Sequence, residues 1–149
     1  MSVNLHIANL LRLAHGDLEA AVALTALGNR NDAYHAEQAA EKILLALLTS
    51  EGIRAERKDA HRIDVLQGLL PDANGFKFKF SPIVFLTIYA TTYRYPKDAG
   101  RLPAQADKDE LGTAMDAIRA ILDEVARHFG VDLTDSDKVP ATSSAAPRI

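Results

Sequence analysis

Residues 34–48 read YHAEQAAEKILLALL. Apolar residues recur in this segment at steps of three and four, which is the spacing of one face of an α-helix. The stripe consists of Ala36, Ala40, Ile43, Leu44, Leu47 and Leu48. The pattern predicts a helix over residues 32–51. Gly52 follows it, and glycine suits the left-handed backbone conformation that often ends a helix.

A second amphipathic segment lies immediately upstream, over residues 4–27. Its apolar positions also recur at steps of three and four: Ile7, Leu10, Leu11, Ala14, Leu18, Ala21, Val22 and Leu27. Gly28 and Asn29 interrupt the pattern before the next helix begins. Because the connection is only a few residues long, we expect the two helices to pack antiparallel.

Three segments follow on the carboxyl side. Residues 59–70 predict a short helix that ends before Pro71. Residues 76–80 alternate Phe and Lys and predict an extended loop, because a single short strand would have no partner. Residues 81–93 are apolar on all sides, which predicts a helix that is the most buried of the chain.

The last predicted helix begins at Asp107 and ends at Gly130. Asp107 and Glu110 have the spacing of a capping box, with Asp in place of Ser or Thr. The sequence therefore predicts an all-α, up-and-down bundle of about four or five helices in one domain over residues 1–130. Residues 131–149 are rich in Asp, Ser, Pro and Ala, and predict a disordered tail.

The amino-acid composition excludes several classes of protein and of functional site. Cysteine is absent, which excludes disulfides, thiolate metal sites and cysteine nucleophiles, and which fits a reducing cytoplasm. No apolar run approaches the roughly 20 residues of a membrane span, and the N-terminus lacks the basic region of a signal peptide. No spacing of His and carboxylates typical of a metal site and no glycine-rich phosphate loop is present, so we expect no metal and no cofactor.

Charge is distributed unevenly along the chain. The net charge of −3 disfavours a protein that coats nucleic acid non-specifically. Residues 52–103 nevertheless carry nine Lys and Arg against five Asp and Glu, a local +4, while the remainder carries −7. A positive middle segment could hold one anionic ligand or could be a solvated loop region.

Several segments, taken in order, resemble the HEPN family (higher eukaryotes and prokaryotes nucleotide-binding). Residues 15–21, HGDLEAA, are similar to the family's opening DLxxA pattern, and residues 34–48 resemble its QAAEKxLxALL signature. His61 with the leucines that follow it, and then Arg94-Tyr95-Pro96, continue the series. Each segment alone is weak evidence, but their order and spacing match over residues 8–129.

The resemblance implies a helical bundle that often forms homodimers. Family members include partners of small nucleotidyltransferases, in toxin–antitoxin-like pairs, and ribonuclease toxins in which Arg and His lie about four to six residues apart. No histidine follows Arg94 at that distance, so the chain resembles the non-toxin branch and we expect no catalytic residue. Arg54 and His61 have six residues between them, but they precede the third helix, and we interpret that match as accidental.

Arg94 is the first candidate for ligand binding, because a guanidinium group offers a planar set of donors suited to phosphate. The alternative is an arginine that caps the carbonyl groups at a helix C-terminus. Tyr95 could stack on a base, or pack against the bundle.

Tyr34, Gln38 and Lys42 share one polar face of the second predicted helix and could line a nucleotide cleft. They could equally be solvated or border a dimer. His61 could approach an anion, or bond to backbone at the start of a helix.

Three functions remain open. The first is a non-catalytic binding module for a nucleotide or nucleic-acid phosphate, accessory to a nucleotidyltransferase. The second is a dimeric protein-interaction module with no small ligand. The third, ranked last, is a ribonuclease that uses a displaced histidine such as His61.

Overall fold

Four α-helices and two 3-10 segments form the computed structural model in the residues that it describes, 3–90 and 95–135. The α-helices are α1 Val3–Ala26, α2 Asp32–Ser50, α3 Ile63–Leu69 and α4 Lys108–Phe129. The 3-10 segments are η1 Arg57–Asp59 and η2 Lys77–Tyr89. No described residue lies in a β-strand, so the all-α prediction is confirmed.

Helices α1 and α2 pack antiparallel, as predicted. Near the turn that joins them, Thr25 Oγ1 donates a hydrogen bond to Asp32 Oδ2 at 3.0 Å. Further along both helices, Lys42 Nζ donates to Asp17 Oδ2 at 2.5 Å. Gly28, with φ +68°, allows the reversal. Fully buried alanines on both helices let the two backbones approach closely: Ala14, Ala21, Ala36 and Ala40.

Helix α2 is the centre of the bundle. It contacts α1, α3, η2 and α4, and its buried residues extend well beyond the predicted apolar stripe to include Ala33, Glu37 and Glu41. The prediction that residues 81–93 form the most buried helix is wrong, because Ile88 of that segment is 60% exposed. The central position of α2 brings polar residues on it into contact with other elements, as Lys42 contacts Asp17 of α1.

Residues 76–80 are not the extended loop that their alternation predicted. The 3-10 segment η2 begins at Lys77 and continues through Pro82 to Tyr89. A 3-10 helix has three residues per turn, so side chains three apart lie on one side. The buried residues of η2 follow that spacing: Lys77, Phe80, Ile83, Leu86 and Tyr89. Residues 91–93 of the predicted helix lie outside the described residues.

The predicted helix over 59–70 is split in two. Arg62 has an extended conformation, with φ −118° and ψ 102°, and separates η1 from α3. Ile63, Leu66 and Leu70 are buried, whereas Leu69 is 39% exposed. The break places His61 in the connection between the two segments.

Helix α4 has the predicted ends. Asp107 Oδ1 accepts a hydrogen bond from the backbone N–H of Glu110 at 2.9 Å, and Gly130 ends the helix with φ +67°. After α4, Val131 and Leu133 pack partly against the core, and the backbone carbonyl of Asp132 accepts from Arg12 Nε at 2.9 Å. Residues 136–149 lie outside the described residues, so the disordered tail stays a prediction.

Replacing Asp107 by Ala should lower the free energy of unfolding by about 1 kcal/mol, because one N–H of the first turn loses its acceptor. Chemical denaturation of the variant measures this loss. Asp116→Ala is the matched control, since Asp116 is an exposed residue in the middle of the same helix. Alanine is the better helix former at an exposed site, so the control should be neutral or slightly stabilised. Equal losses in both variants would contradict the capping role.

None of the described helices is long and apolar enough to cross a membrane.

Candidate functional site

Seven polar side chains form a connected set between α1, α2 and the segment before α3, which we call the polar network. Its members are Asp17, His35, Glu37, Gln38, Glu41, Lys42 and His61. Five of them belong to α2 and recur there at steps of three and four, so they lie on neighbouring parts of the helix surface. The QAAEK segment thus supplies most of the network.

At the α1 end of the network, Asp17 joins two residues of α2. Its Oδ2 atom accepts from Lys42 Nζ at 2.5 Å, and its Oδ1 atom lies 3.3 Å from His35 Nδ1. The side chains of Asp17 and Lys42 are only 19% and 22% exposed. Lys42 is therefore held by an ion pair that is largely shielded from water, a stronger contact than an exposed pair.

Gln38 links Lys42 to two carboxyl groups. Its Oε1 atom accepts from Lys42 Nζ at 3.3 Å. Its Nε2 atom donates to Glu37 Oε2 at 2.8 Å and to Glu41 Oε2 at 3.2 Å. Both ends of the amide are engaged inside the protein. Gln38 therefore fixes the positions of its neighbours.

Glu37 and Glu41 lie one turn apart and are almost completely buried, with 0% and 5% exposure. Burial, and secondly the neighbouring Glu41 carboxyl, raise the pKa of Glu37 to about 9. Burial also raises the pKa of Glu41. Glu37 Oε1 is buried and has no hydrogen-bond partner among the described residues. With a pKa of about 9, Glu37 keeps a proton at neutral pH, and that proton allows it to donate to Glu41.

His61 lies at the outer edge of the network. Its Nδ1 atom is 3.1 Å from Glu41 Oε1, and its side chain is 61% exposed. The Nε2 atom has no partner among the described residues. The carboxylate at Nδ1 orients the ring and leaves Nε2 directed away from Glu41. The network thus presents one imidazole to solvent in a fixed orientation.

Exposed cations surround His61 in sequence: Arg54, Arg57, Lys58 and Arg62. Lys58 and Arg62 pair with exposed carboxylates at 3.4 Å and 3.1 Å, contacts that contribute little in water. Arg54 and Arg57 make no ion pair within the described part of the chain. The segment before α3 therefore offers two guanidinium groups that are available to an anion.

The structure brings together three of the six predicted binding residues: Gln38, Lys42 and His61. Tyr34 lies beside them, with its ring 5.3 Å from that of His35 in an edge-on arrangement. Tyr95 is 62% exposed and lies outside the network. Arg94, the first candidate, lies outside the described residues.

Sequence reasoning missed Glu37 and Asp17. Glu37 lies one turn before Glu41, and a pair of carboxylates at that spacing on a helix was a signal that could have been used. The partner of Lys42 had no such local signal, because Asp17 is distant in sequence. Among the described residues, no group of three or more His, Asp or Glu side chains is arranged to hold a metal ion.

The fold and the network define an α-helical bundle organised around one central helix that carries charged residues. The model of the HEPN domain family matches residues 7–128, most of the chain, and the protein belongs to that family. No curated protein and no solved structure matches the chain significantly.

Proposed function

We propose that the protein is a non-catalytic module that binds a nucleotide or nucleic-acid phosphate, with His61 as its central contact. The observation that supports this most is the fixed imidazole, bound on one side by Glu41 and available at Nε2. Arg54 and Arg57 add positive charge in the segment between α2 and α3 that also contains His61, and arginine is well suited to phosphate oxygens. Membership of a family of nucleotide- and RNA-related modules agrees with this ligand class.

The proposal assigns different roles to the residues of α2. Lys42 and Gln38 are engaged with Asp17, Glu37 and Glu41, so they support the site more than they contact the ligand. Tyr34, Tyr95 and Arg94 remain proposed contacts, with Arg94 as a second phosphate-binding group.

We further propose that the protein acts as a homodimer in the cytoplasm, as accessory to a nucleotidyltransferase. HEPN domains often dimerise, and large apolar side chains that are more than half exposed could form such contacts, among them Phe78 and Leu102. Sedimentation of the protein alone and with a nucleotidyltransferase partner would test both associations.

Calorimetric titration with ATP, GTP and a short RNA tests the binding function. We expect saturable binding that weakens as salt increases, and His61→Ala should reduce the affinity about 10- to 100-fold through loss of a charged hydrogen bond. His15→Ala is the control, because His15 is a partly exposed histidine of α1 that lies outside the network. Arg94→Ala, measured alongside, should weaken binding without lowering the melting temperature.

Titrations with ATP, GTP and the short RNA that show no binding heat would contradict the proposal. If Arg94→Ala lowers the melting temperature or dissociates the dimer and leaves ligand binding unchanged, the protein-interaction module is favoured instead. A carboxylate-oriented histidine also suits acid–base chemistry. If the wild type cleaves RNA and His61→Ala does not, the protein is a ribonuclease and not a non-catalytic binding module.

A further inference from the structure

A cavity of about 580 Å³ lies at the end of the bundle where the first turns of α1 meet the last turns of α2. Val3 and Leu10 line it from α1, and Leu45 and Leu48 line it from α2. Residues of the segment 52–60 line its third side. The volume is in the range of small-molecule sites. No member of the polar network is among the described residues of the lining, so this cavity is separate from the site around His61.

The interior of the cavity is apolar. Leu48 is the least exposed of the lining residues, with 1% exposure, and half-buried aliphatic side chains such as Leu10 and Ile53 surround it. Among the described lining residues, Thr49 carries the one hydroxyl group, and its Oγ1 atom donates to Leu45 O at 2.8 Å. Polar groups along the body of a ligand would lose their hydrogen bonds to water here and find few side-chain partners. The interior therefore suits an aliphatic body.

Arg54 gives the exposed edge of the cavity a positive charge. Its side chain is exposed, and the described lining contains no carboxylate. The acidic residues closest to Arg54 in sequence have other partners: Glu51 accepts from Asn74 Nδ2 at 2.7 Å, and Glu56 pairs with Lys58 at 3.4 Å. Because Arg54 makes no ion pair in the described part of the chain, its planar guanidinium can donate two hydrogen bonds to one carboxylate.

His6 adds a second donor on the opposite side of the cavity. It is an exposed residue of α1, and even a neutral imidazole keeps one N–H group that can donate. Arg54 comes to the facing side because Gly52, with φ +72°, ends α2 and turns the chain across the end of the helix. Ile53 N–H then donates back to Leu48 O at 2.9 Å and closes this turn.

We propose that the cavity binds a medium-chain fatty carboxylate, with the head group at Arg54 and His6 and the alkyl chain against the leucines of α1 and α2. Charge complementarity selects the head group, because the exposed edge of the cavity carries a cation and a further donor and no carboxylate. The lack of available polar side chains inside selects the alkyl chain. The inference goes beyond the proposed binding of phosphate at His61, since it assigns a different ligand to a different place.

Calorimetric titration of the full chain with alkanoates, kept below the concentrations at which they form micelles, tests the proposal. The affinity should rise about three- to tenfold for every two methylenes from hexanoate through octanoate to decanoate, because each methylene adds apolar contact area. Octylammonium has the same chain and the opposite charge, and it should bind at least about tenfold more weakly than octanoate. Affinities that depend neither on chain length nor on the charge of the head group would overturn the proposal.

Replacing Arg54 by Gln tests the head-group contact. The affinity for octanoate should fall about five- to twentyfold, and the affinity for 1-octanol should not change, because octanol has no charge to pair with the guanidinium. Arg57→Gln is the matched control, since it removes the same charge from an exposed residue of the same segment that does not line the cavity. Equal losses in the two variants would contradict the contact.

Methyl NMR spectra of the wild type locate the ligand without any variant. The signals of Leu45 and Ile53 should shift on addition of octanoate. The signal of Ile83 should stay in place, because Ile83 lines a second groove whose lining includes Asp109 and Glu110, which repel a carboxylate. Shifts at both places would show non-specific adsorption, and shifts with rising protein concentration alone would show that a second copy covers the cavity. Either result would overturn the proposal.

Discussion

Replacing Glu37 by Gln should remove a large part of the pH dependence of stability between pH 5 and pH 9. Glu37 is fully buried, and its pKa is raised from 4.5 to about 9. Between these two values the folded protein keeps a proton on Glu37 that the unfolded chain releases. The folded state therefore binds more protons than the unfolded state, and stability must fall as pH rises through this interval.

The size of the effect follows from the same linkage. Each pH unit over which Glu37 stays protonated in the fold lowers the free energy of unfolding by up to about 1.4 kcal/mol. At pH 8 we expect Glu37→Gln to be more stable than the wild type by roughly 2 to 4 kcal/mol, because Gln is uncharged in both states. At pH 5 the two proteins should differ little. Denaturant unfolding at several pH values measures the difference.

Glu56→Gln is the matched control. The side chain of Glu56 is 72% exposed and pairs only with exposed Lys58, so its replacement should leave the slope of stability against pH unchanged. If Glu37→Gln has the same slope as the wild type, Glu37 is ionised in the folded protein. The conclusion that a protonated Glu37 donates to Glu41 would then be wrong.

The protonation of Glu37 also matters for the proposed site. A neutral Glu37 removes one negative charge from beside Glu41, whose Oε1 atom lies 3.1 Å from His61 Nδ1. Two ionised carboxylates would add a second negative charge near His61 and would oppose an anionic ligand. The buried pair thus lets an acid-rich network support an anion-binding edge.

The helices whose boundaries the sequence predicted well are those with a clear 3.6-residue period. Both α1 and α2 have it, and α4 has in addition a capping residue, Asp107, and a terminal glycine, Gly130. For these helices local chemistry and packing agree, and the short connection between α1 and α2 leaves few ways to arrange that pair. The antiparallel pair α1 and α2 followed from that consistency.

The site was predicted less well, because burial around a central helix is set by the whole bundle. Tyr34, Gln38 and Lys42 were grouped on one face, and the structure places Gln38 and Lys42 in one network. The sequence could not show that Lys42 would be bound to Asp17, since that contact depends on how two helices pack. It also could not show that Glu37 would be enclosed.

Segment 76–89 was misinterpreted for a different reason. Alternating Phe and Lys have the two-residue period of a strand, and a run of apolar residues has no single face. The spacing that the structure uses is three, from Lys77 through Phe80 and Ile83 to Leu86. Long 3-10 segments are uncommon, so a three-residue period is easily overlooked. Lys77 is held in this arrangement by Leu70 O and Asp72 Oδ1, at 2.6 and 2.8 Å from Nζ.

Replacing Phe80 by Ala should be strongly destabilising, and this substitution distinguishes the two interpretations of the segment. Phe80 is 0% exposed and is among the largest fully buried side chains of the protein. Removing its ring should leave a cavity in the core and lower the free energy of unfolding by about 3 to 5 kcal/mol. An exposed loop residue would cost less than about 0.5 kcal/mol. Chemical denaturation followed by circular dichroism measures the difference.

Phe78→Ala is the matched control, because the same side chain is removed two residues earlier. Phe78 is 56% exposed, and its ring is 5.5 Å from Lys77 Nζ. Loss of that contact should cost at most about 1 kcal/mol at an exposed site. In an extended segment, Phe78 and Phe80 would point to the same side and the two variants would lose similar stability. A large loss confined to Phe80→Ala requires the three-residue period, since only that spacing buries Phe80 together with Ile83 and Leu86.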